Sequence, residues 1–296
     1  MFKKVNVGKA TDAITIRELY KRYNDFVLDN ISFTVPKGSI MGFVGENGAG
    51  KTTTIKSILN LINIDGGEIS VLGYDSRKLP IEIKSQIGVV LDGSNLHDNI
   101  SAKESNLIMK NIYPNWDENM FMNYVKRFNL PENKAFKDYS RGMKMKLSIA
   151  IALSHQPKLL ILDEPTSGLD PMVRDEILDI FLEFIQDEEH TILLSSHIIS
   201  DLEKIADYVT FIHKGKIVFS ESKDNLIYQY GLIHCRKEDL NSIDRDFIAG
   251  VRENSFGAEV MIRNKDEFLR RYRHLDYAPE KISIEEIMLF VSKGRW

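Results

Sequence analysis

One eight-residue loop constrains this chain more than anything else in it: Gly45-Glu46-Asn47-Gly48-Ala49-Gly50-Lys51-Thr52. Residues 39–44 before it form a short, mainly apolar run of strand length, and residues 51–61 after it space their apolar side chains as a helix does. Strand, glycine loop, helix is a geometry that holds an anion. The glycines let backbone N–H groups turn inward where side chains would obstruct them. The helix points its positive end at the same place. Lys51 then supplies a point charge for the β- and γ-phosphates of a nucleotide, and Thr52 a hydroxyl for Mg²⁺. Thr53 follows as a further contact. The alternative is a glycine-rich turn carrying a chance Lys-Thr.

A second element lies at residues 158–162, a continuous apolar run of the kind a buried parallel strand needs, ending in Asp163-Glu164. Parallel strands end at one edge of the sheet, so these carboxylates are expected beside the phosphate loop. Asp163 suits the shell of Mg²⁺, and Glu164 suits a general base that polarises an attacking water. Alone, an Asp-Glu after a strand reads as a helix N-cap; beside such a loop it does not.

The remaining pattern is mixed α/β. Residues 13–19 and 26–35 read as early strands, and 68–72 as another after Asp65-Gly66-Gly67. From 95 to 154 the pattern is mainly helical, punctuated by Pro114 and Pro131. Residues 171–186 read as a helix with Pro171 in its first turn, and 191–195 as a buried strand. Lys214-Gly215 marks a hairpin between 209–213 and 216–219. After residue 222 the charge density rises and the chemistry-bearing motifs stop.

Asp163-Glu164-Pro165-Thr166-Ser167-Gly168-Leu169-Asp170 resembles the Walker B and D-loop of ABC ATPases, and Tyr139-Ser140-Arg141-Gly142-Met143 is similar to their signature sequence. The resemblance covers roughly residues 13–222. It implies an α/β fold, a P-loop NTPase of ABC type: a RecA-like core with an antiparallel β subdomain and a helical subdomain at about 95–154. It also implies ATP and Mg²⁺ as ligands. Catalysis would fall to Lys51, Glu164 and His197, the last resembling the switch histidine. The nucleotide would meet Tyr23 as the A-loop aromatic, with Tyr20 and Phe26 near enough to compete. It would also meet Gly45, Glu46, Asn47, Gly48, Ala49, Gly50, Lys51, Thr52 and Thr53, and the signature's Ser140 and Gly142. The metal set would be Thr52, Asp163 and Asp92. Asp92 departs from the family, standing where a glutamine is usual in Ile87-Gly88-Val89-Val90-Leu91-Asp92; a carboxylate is the stronger, charged Mg²⁺ ligand. The alternative leaves Asp92 in solvent.

The resemblance further implies two ATPase domains packed head to tail, each signature facing the other's ATP. One chain carries one copy of each motif, so a second ATPase subunit, identical or paralogous, is expected. So is an integral-membrane permease, received by the helical subdomain; Leu96, Ile100, Tyr113, Trp116 and Phe121 are candidates for that groove, with core packing as their alternative. Tyr113-Pro114-Asn115-Trp116-Asp117 and the signature variant resemble the exporter branch linked to bacitracin resistance, lantibiotic immunity and phenol-soluble modulin export. A translation or repair ABC protein, an importer subunit and a sensor without turnover are the alternatives.

Composition narrows the rest. The chain has 296 residues with a formal net charge of -4, so no basic footprint argues for nucleic acid. Its single cysteine, Cys235, forms no internal disulfide and reads as a small buried hydrophobe. No apolar run reaches the roughly 18–20 residues of a membrane span, and no apolar h-region follows the basic residues 1–9. The expected location is cytoplasmic, held at the inner face of the membrane by the permease. Two regions are expected: residues 1–222 as the ATPase domain and 223–296 as an accessory or regulatory region. Within the latter, residues 283–288 are expected to form a terminal helix. The basic cluster 269–274 reads as a solvated helix face, with anionic lipid or a partner's tail as the alternative.

Overall fold

The computed structural model of the protein describes residues 12–93, 96–253, 255–273 and 279–293; residues 1–9, Asn95 and His274 of the expectations above lie outside the described residues. The chain opens with β1 (Asp12–Arg22) and β2 (Val27–Pro36), an antiparallel pair. It then enters β3 (Ile40–Val44), buried at every position, and α1 (Lys51–Ile58). α1 stops short of residue 61. Asn60 takes a left-handed φ of 53°, and Leu61 N donates back to Lys56 O at 2.9 Å, closing the last turn. β4 (Gly66–Val71) pairs with β1, and β5 (Tyr74–Asp75) with β4, giving an antiparallel sheet of order β2-β1-β4-β5.

A single turn, α2 (Ile81–Lys84), leads to β6 (Ile87–Val90). Three helices follow: α3 (Ala102–Ile112), α4 (Glu118–Arg127) and α5 (Arg141–Ser154). Each starts on a side chain that accepts from an otherwise unpaired N–H of its first turn. Ser101 does so in a reciprocal box with Glu104, Asp117 from Met120 N, and Ser140 from Met143 N. Next come β7 (Leu159–Asp163), α6 (Pro171–Phe184), β8 (Thr191–Ser196), α7 (Ile199–Ile205), β9 (Tyr208–His213) and β10 (Lys216–Ser222). The second sheet has order β10-β9-β3-β8-β7-β6, parallel from β9 to β6 with β10 antiparallel at its edge.

Alternation along the strands builds two cores from one sheet. Leu159 and Ile161 of β7 face α1 and the antiparallel sheet, where Phe33 stacks on Phe43 with ring centroids 5.2 Å apart. Leu160 and Leu162 face the other way, toward α5, α6 and α7. Both faces being covered, the strands read as unbroken apolar runs.

The last part of the chain forms α8 (Lys223–Gln229), β11 (Tyr230–Cys235), β12 (Ile248–Glu253), β13 (Ala258–Arg263), α9 (Lys265–Arg271) and α10 (Ile284–Lys293). The strands make an antiparallel sheet of order β11-β13-β12. One face has its own small core, in which Cys235 is buried and its thiol pKa pushed up by that burial. The other face shares a core with the ATPase-like part: Met261, Ile284, Ile287 and Phe290 join Leu202 and Ile205 of α7. Glu203 of α7 accepts a hydrogen bond from Ile284 N at 2.9 Å, capping α10 from outside. Among the described residues, no helix is long and apolar enough to cross a membrane.

Of the groove candidates, Phe121 is wholly buried, Leu96 and Trp116 pack on the core, and Tyr113 stacks on His155 at 4.1 Å. These four pack inward rather than line a groove, while Ile100 is half-buried. The apolar side chains that the helical segment leaves in solvent are Leu107, Ile108 and Ile112 on α3.

Candidate active site

The glycine loop leaves β3 at Val44 and re-enters regular structure at α1. Two of its glycines answer to specific demands. Gly50 has φ 116°, and a Cβ there would fall 2.5 Å from a Leu28 methyl and 2.9 Å from the Phe26 ring. Gly48 has φ 81° with nothing within 4 Å of where a Cβ would stand, so its face is an open cradle. The loop is braced from behind: Gly215 N, in the β9–β10 turn, donates to Ala49 O at 3.0 Å, and Asp29 N donates to Gly215 O at 2.8 Å.

Lys51 is 6% exposed, and its Nζ donates to Gly45 O at 2.6 Å and to Glu46 O at 3.3 Å. The same ammonium lies 3.2 Å from Glu164 Oε1. A buried lysine needs such compensation. β7 brings the carboxylates to the loop as expected from its parallel pairing with β8, in which Asp163 stands opposite Ser195. Glu164 leaves the strand with φ 53°, a left-handed turn that swings its side chain toward Lys51. His197 Nδ1 lies 2.6 Å from Glu164 Oε2, so cation, carboxylate and imidazole form one chain of contacts.

Ser195 is a member of the site that sequence reasoning missed. Its Oγ donates to Asp163 Oδ1 at 2.5 Å and accepts from Glu164 N at 3.1 Å, fixing both acids. The signal was available: Ser195 and His197 are two apart at a strand end, and residues at that spacing share a face. A second omission is His213, whose Nδ1 lies 3.2 Å from Glu46 Oε1 across the loop. That pair joins sequence-distant strands, and no local pattern foretells it.

Not every candidate is gathered here. Thr52 is exposed and Thr53 half-buried in the first turn of α1, and Asn47 is exposed on the loop. Asp92 is exposed beyond the end of β6, whose register pairs Val90 with Leu162 and so sets Asp92 at the same sheet edge as Glu164. No hydrogen bond joins Asp92 to Asp163 among the described residues, nor do three or more His, Cys, Asp or Glu there form a metal cluster. Tyr23 is 44% exposed on the β1–β2 turn, with Lys21 Nζ 5.3 Å from its ring centroid, while Phe26 is the ring that meets Gly50. Ser140 and Gly142 lie at the start of α5, where Gly142 faces Val173 of α6. No hydrogen bond or ion pair links them to the loop of their own chain among the described residues. Arg141 lies over Gly168, close enough that a Cβ there would fall 2.6 Å from its Nη1.

The residues fit a magnesium nucleotide. Asp163 is 1% exposed, and its Oδ2 has no hydrogen-bond partner. An orphaned buried carboxylate oxygen beside an open anion cradle is the donor set such a ligand needs.

Comparison with known proteins agrees with this fold. The model of the ABC transporter family matches residues 28–167. The ABC transporter ATP-binding protein NatA of Bacillus subtilis is 35% identical, over 78% of this chain and 96% of that protein. The bacitracin transport ATP-binding protein BcrA of Bacillus licheniformis is 34% identical, over 84% of this chain and 80% of its own length. The lantibiotic transport ATP-binding protein SrtF of Streptococcus pyogenes is 35% identical, over 71% and 91%. Among solved structures, an ATP-binding subunit of an ABC transporter superposes with a TM-score of 0.65 at 26% identity, covering 72% of this chain and 91% of that one. Loop, acids, histidine and fold together place the chain in one family: it belongs to the ABC transporter ATP-binding proteins, and it is an ABC-type ATPase subunit.

Proposed function

We propose that this subunit hydrolyses Mg-ATP to drive export of an amphipathic peptide or antimicrobial through a separately encoded membrane permease. The observation that carries the catalytic part is the Lys51–Glu164–His197 contact chain, at 3.2 Å and 2.6 Å, beside the cradle at Gly48. Lys51 is the cation for the β- and γ-phosphates, exchanging its contacts with Gly45 O and Glu164 for phosphate oxygens. Glu164 is the general base that takes a proton from the attacking water, and His197 orients its carboxylate. Thr52 and Asp163 are the residues that would hold Mg²⁺, with Asp92 reaching it from the end of β6. When bound, the metal offsets negative charge on the phosphates. Tyr23 supplies a face for adenine.

Ser140 and Gly142, which make no hydrogen bond to the loop of their own chain among the described residues, suit a role toward the ATP of a second ATPase subunit. Leu107, Ile108 and Ile112 on α3 suit contact with the permease, which would hold the chain at the inner face of the membrane. The similarity to the bacitracin and lantibiotic transport proteins supports the cargo class. We assign residues 1–222 to the ATPase domain and 223–296 to a regulatory one. The test is reconstitution with the permease in vesicles. Amphipathic peptide should stimulate ATP turnover and accumulate on the side opposite the ATPase; stimulation by other solutes alone would sink the cargo assignment.

A further inference from the structure

Asp201 is 1% exposed, yet neither of its carboxylate oxygens has an aligned hydrogen-bond donor. What compensates the buried charge is Arg174, whose Nε lies 2.8 Å from Asp201 Oδ1. The guanidinium is anchored a second time, Nη2 donating to Ser200 Oγ at 3.0 Å. A buried carboxylate with a single charged partner holds that partner in place, because separation would leave the charge uncompensated.

The position of this pair in the chain gives it meaning. Arg174 lies in the first turns of α6, which starts at the Asp170 cap directly after the Glu164–Leu169 loop. Asp201 lies in the first turn of α7, four residues after His197. The path from Glu164 along its loop to α6, across Arg174–Asp201 to α7, and back to His197 therefore closes on the 2.6 Å contact between His197 and Glu164. Lys204, in the last turn of α7, lies 2.5 Å from Asp175 and 3.2 Å from Asp179 in the first half and middle of α6. Those outer pairs are exposed and weak. The pair beside the site is the buried one.

We infer that Arg174 and Asp201 are positioning residues, setting the distance between His197 and Glu164 by locking α7 to α6. Neither reaches the reacting atoms. Their effect passes through the geometry of the histidine, and it rests on the roles proposed above for Glu164 and His197.

The test uses the full chain, with its permease where turnover requires it, and single-turnover hydrolysis for slow variants. Asp201→Asn keeps the shape and removes the charge. Arg174→Lys keeps the cation and loses the second anchor, and it carries the test should Asp201→Asn not fold. Each should lower kcat on the order of 10-fold while ATP affinity and KM stay within about 2-fold, as misplacement without lost binding does. In a His197→Ala background the same substitutions should cost little more, because the residue they position is gone. Unchanged kcat in folded protein, or an equal loss with and without His197, overturns the inference. His197→Ala and Glu164→Gln alone report on the underlying reading: were both to turn over like the unmodified chain, that assignment would fail and the positioning role with it.

Discussion

Lys51 Nζ lies 3.2 Å from Glu164 Oε1, so the cation of the glycine loop and the carboxylate at the end of β7 neutralise each other inside one buried site. Each holds the other in the protein until phosphate competes for the cation. Lys51→Met should therefore weaken ATP binding by about 10–100-fold, the loss of charge-assisted contacts to phosphate. Titration with a fluorescent ATP analogue measures it; affinity within 2-fold of the original would contradict the assignment.

Glu164→Gln keeps the size of the side chain but cannot accept a proton. ATP affinity should persist while turnover falls roughly 10²-fold or more, the usual worth of a general base. Phosphate release under saturating ATP, set beside the binding isotherm, separates the two.

Asp92 brings a carboxylate to the edge of the sheet that carries Asp163 and Glu164. Under the proposed role it would add repulsion toward the phosphates without metal and a ligand with it. Asp92→Gln should flatten the dependence of ATP affinity on Mg²⁺, chiefly by improving binding in EDTA. Superimposable Mg²⁺ titrations for the two proteins would end this idea.

Gly215 has φ 74°, and a Cβ there would run into the Val27 carbonyl. Gly215→Ala should destabilise the fold by about 1–3 kcal/mol, the cost of a strained, displaced turn. Because Gly215 N also holds Ala49 O, ATP affinity should drop with it. Thermal melts with and without Mg-ATP check both effects.

His155 is wholly buried at the end of α5, and burial pushes its imidazole below the ordinary value of 6.5. The unfolded chain then takes up a proton more readily than the folded one. Stability from this residue is complete above about pH 6.5 and is lost as pH falls below it. Urea denaturation at pH 7.5 and 5.5 should show a decline in the unmodified chain that is smaller in His155→Asn, where no imidazole remains to charge.

The parts of the fold legible in the sequence were those with local causes. The glycine loop announced its strand and helix, Pro171 sat in the first turn of its helix, and β7 and β8 showed the unbroken apolar runs of doubly covered strands. Lys51 and Glu164, far apart in sequence, could be grouped because parallel strands end at one edge, while His197 was reached only through the resemblance of its motif. What escaped reading depends on contacts between distant elements. Ser195 matters only because β8 sets it opposite Asp163. Tyr113 and Trp116 turn inward only because His155 stacks on the one and Asn106 and Phe121 hold the other. The tail's attachment to α7 lies in one buried face of β11–β13 and in Glu203, which no periodicity marks.

The order of the large sheet has a consequence for synthesis. β3, residues 40–44, is among the first strands to leave the ribosome, but its two neighbours are β8 at 191–196 and β9 at 208–213. At ~5–20 residues per second, β3 waits on the order of 10–30 s with both edges unpaired and with Ile40 and Val44, whose core partners all lie later in the chain, unburied. The phosphate loop cannot be braced until Gly215 has been made. ATP is thus no help to the nascent chain through its first two-thirds, and whatever protects that strand from association during those seconds must act before the nucleotide does.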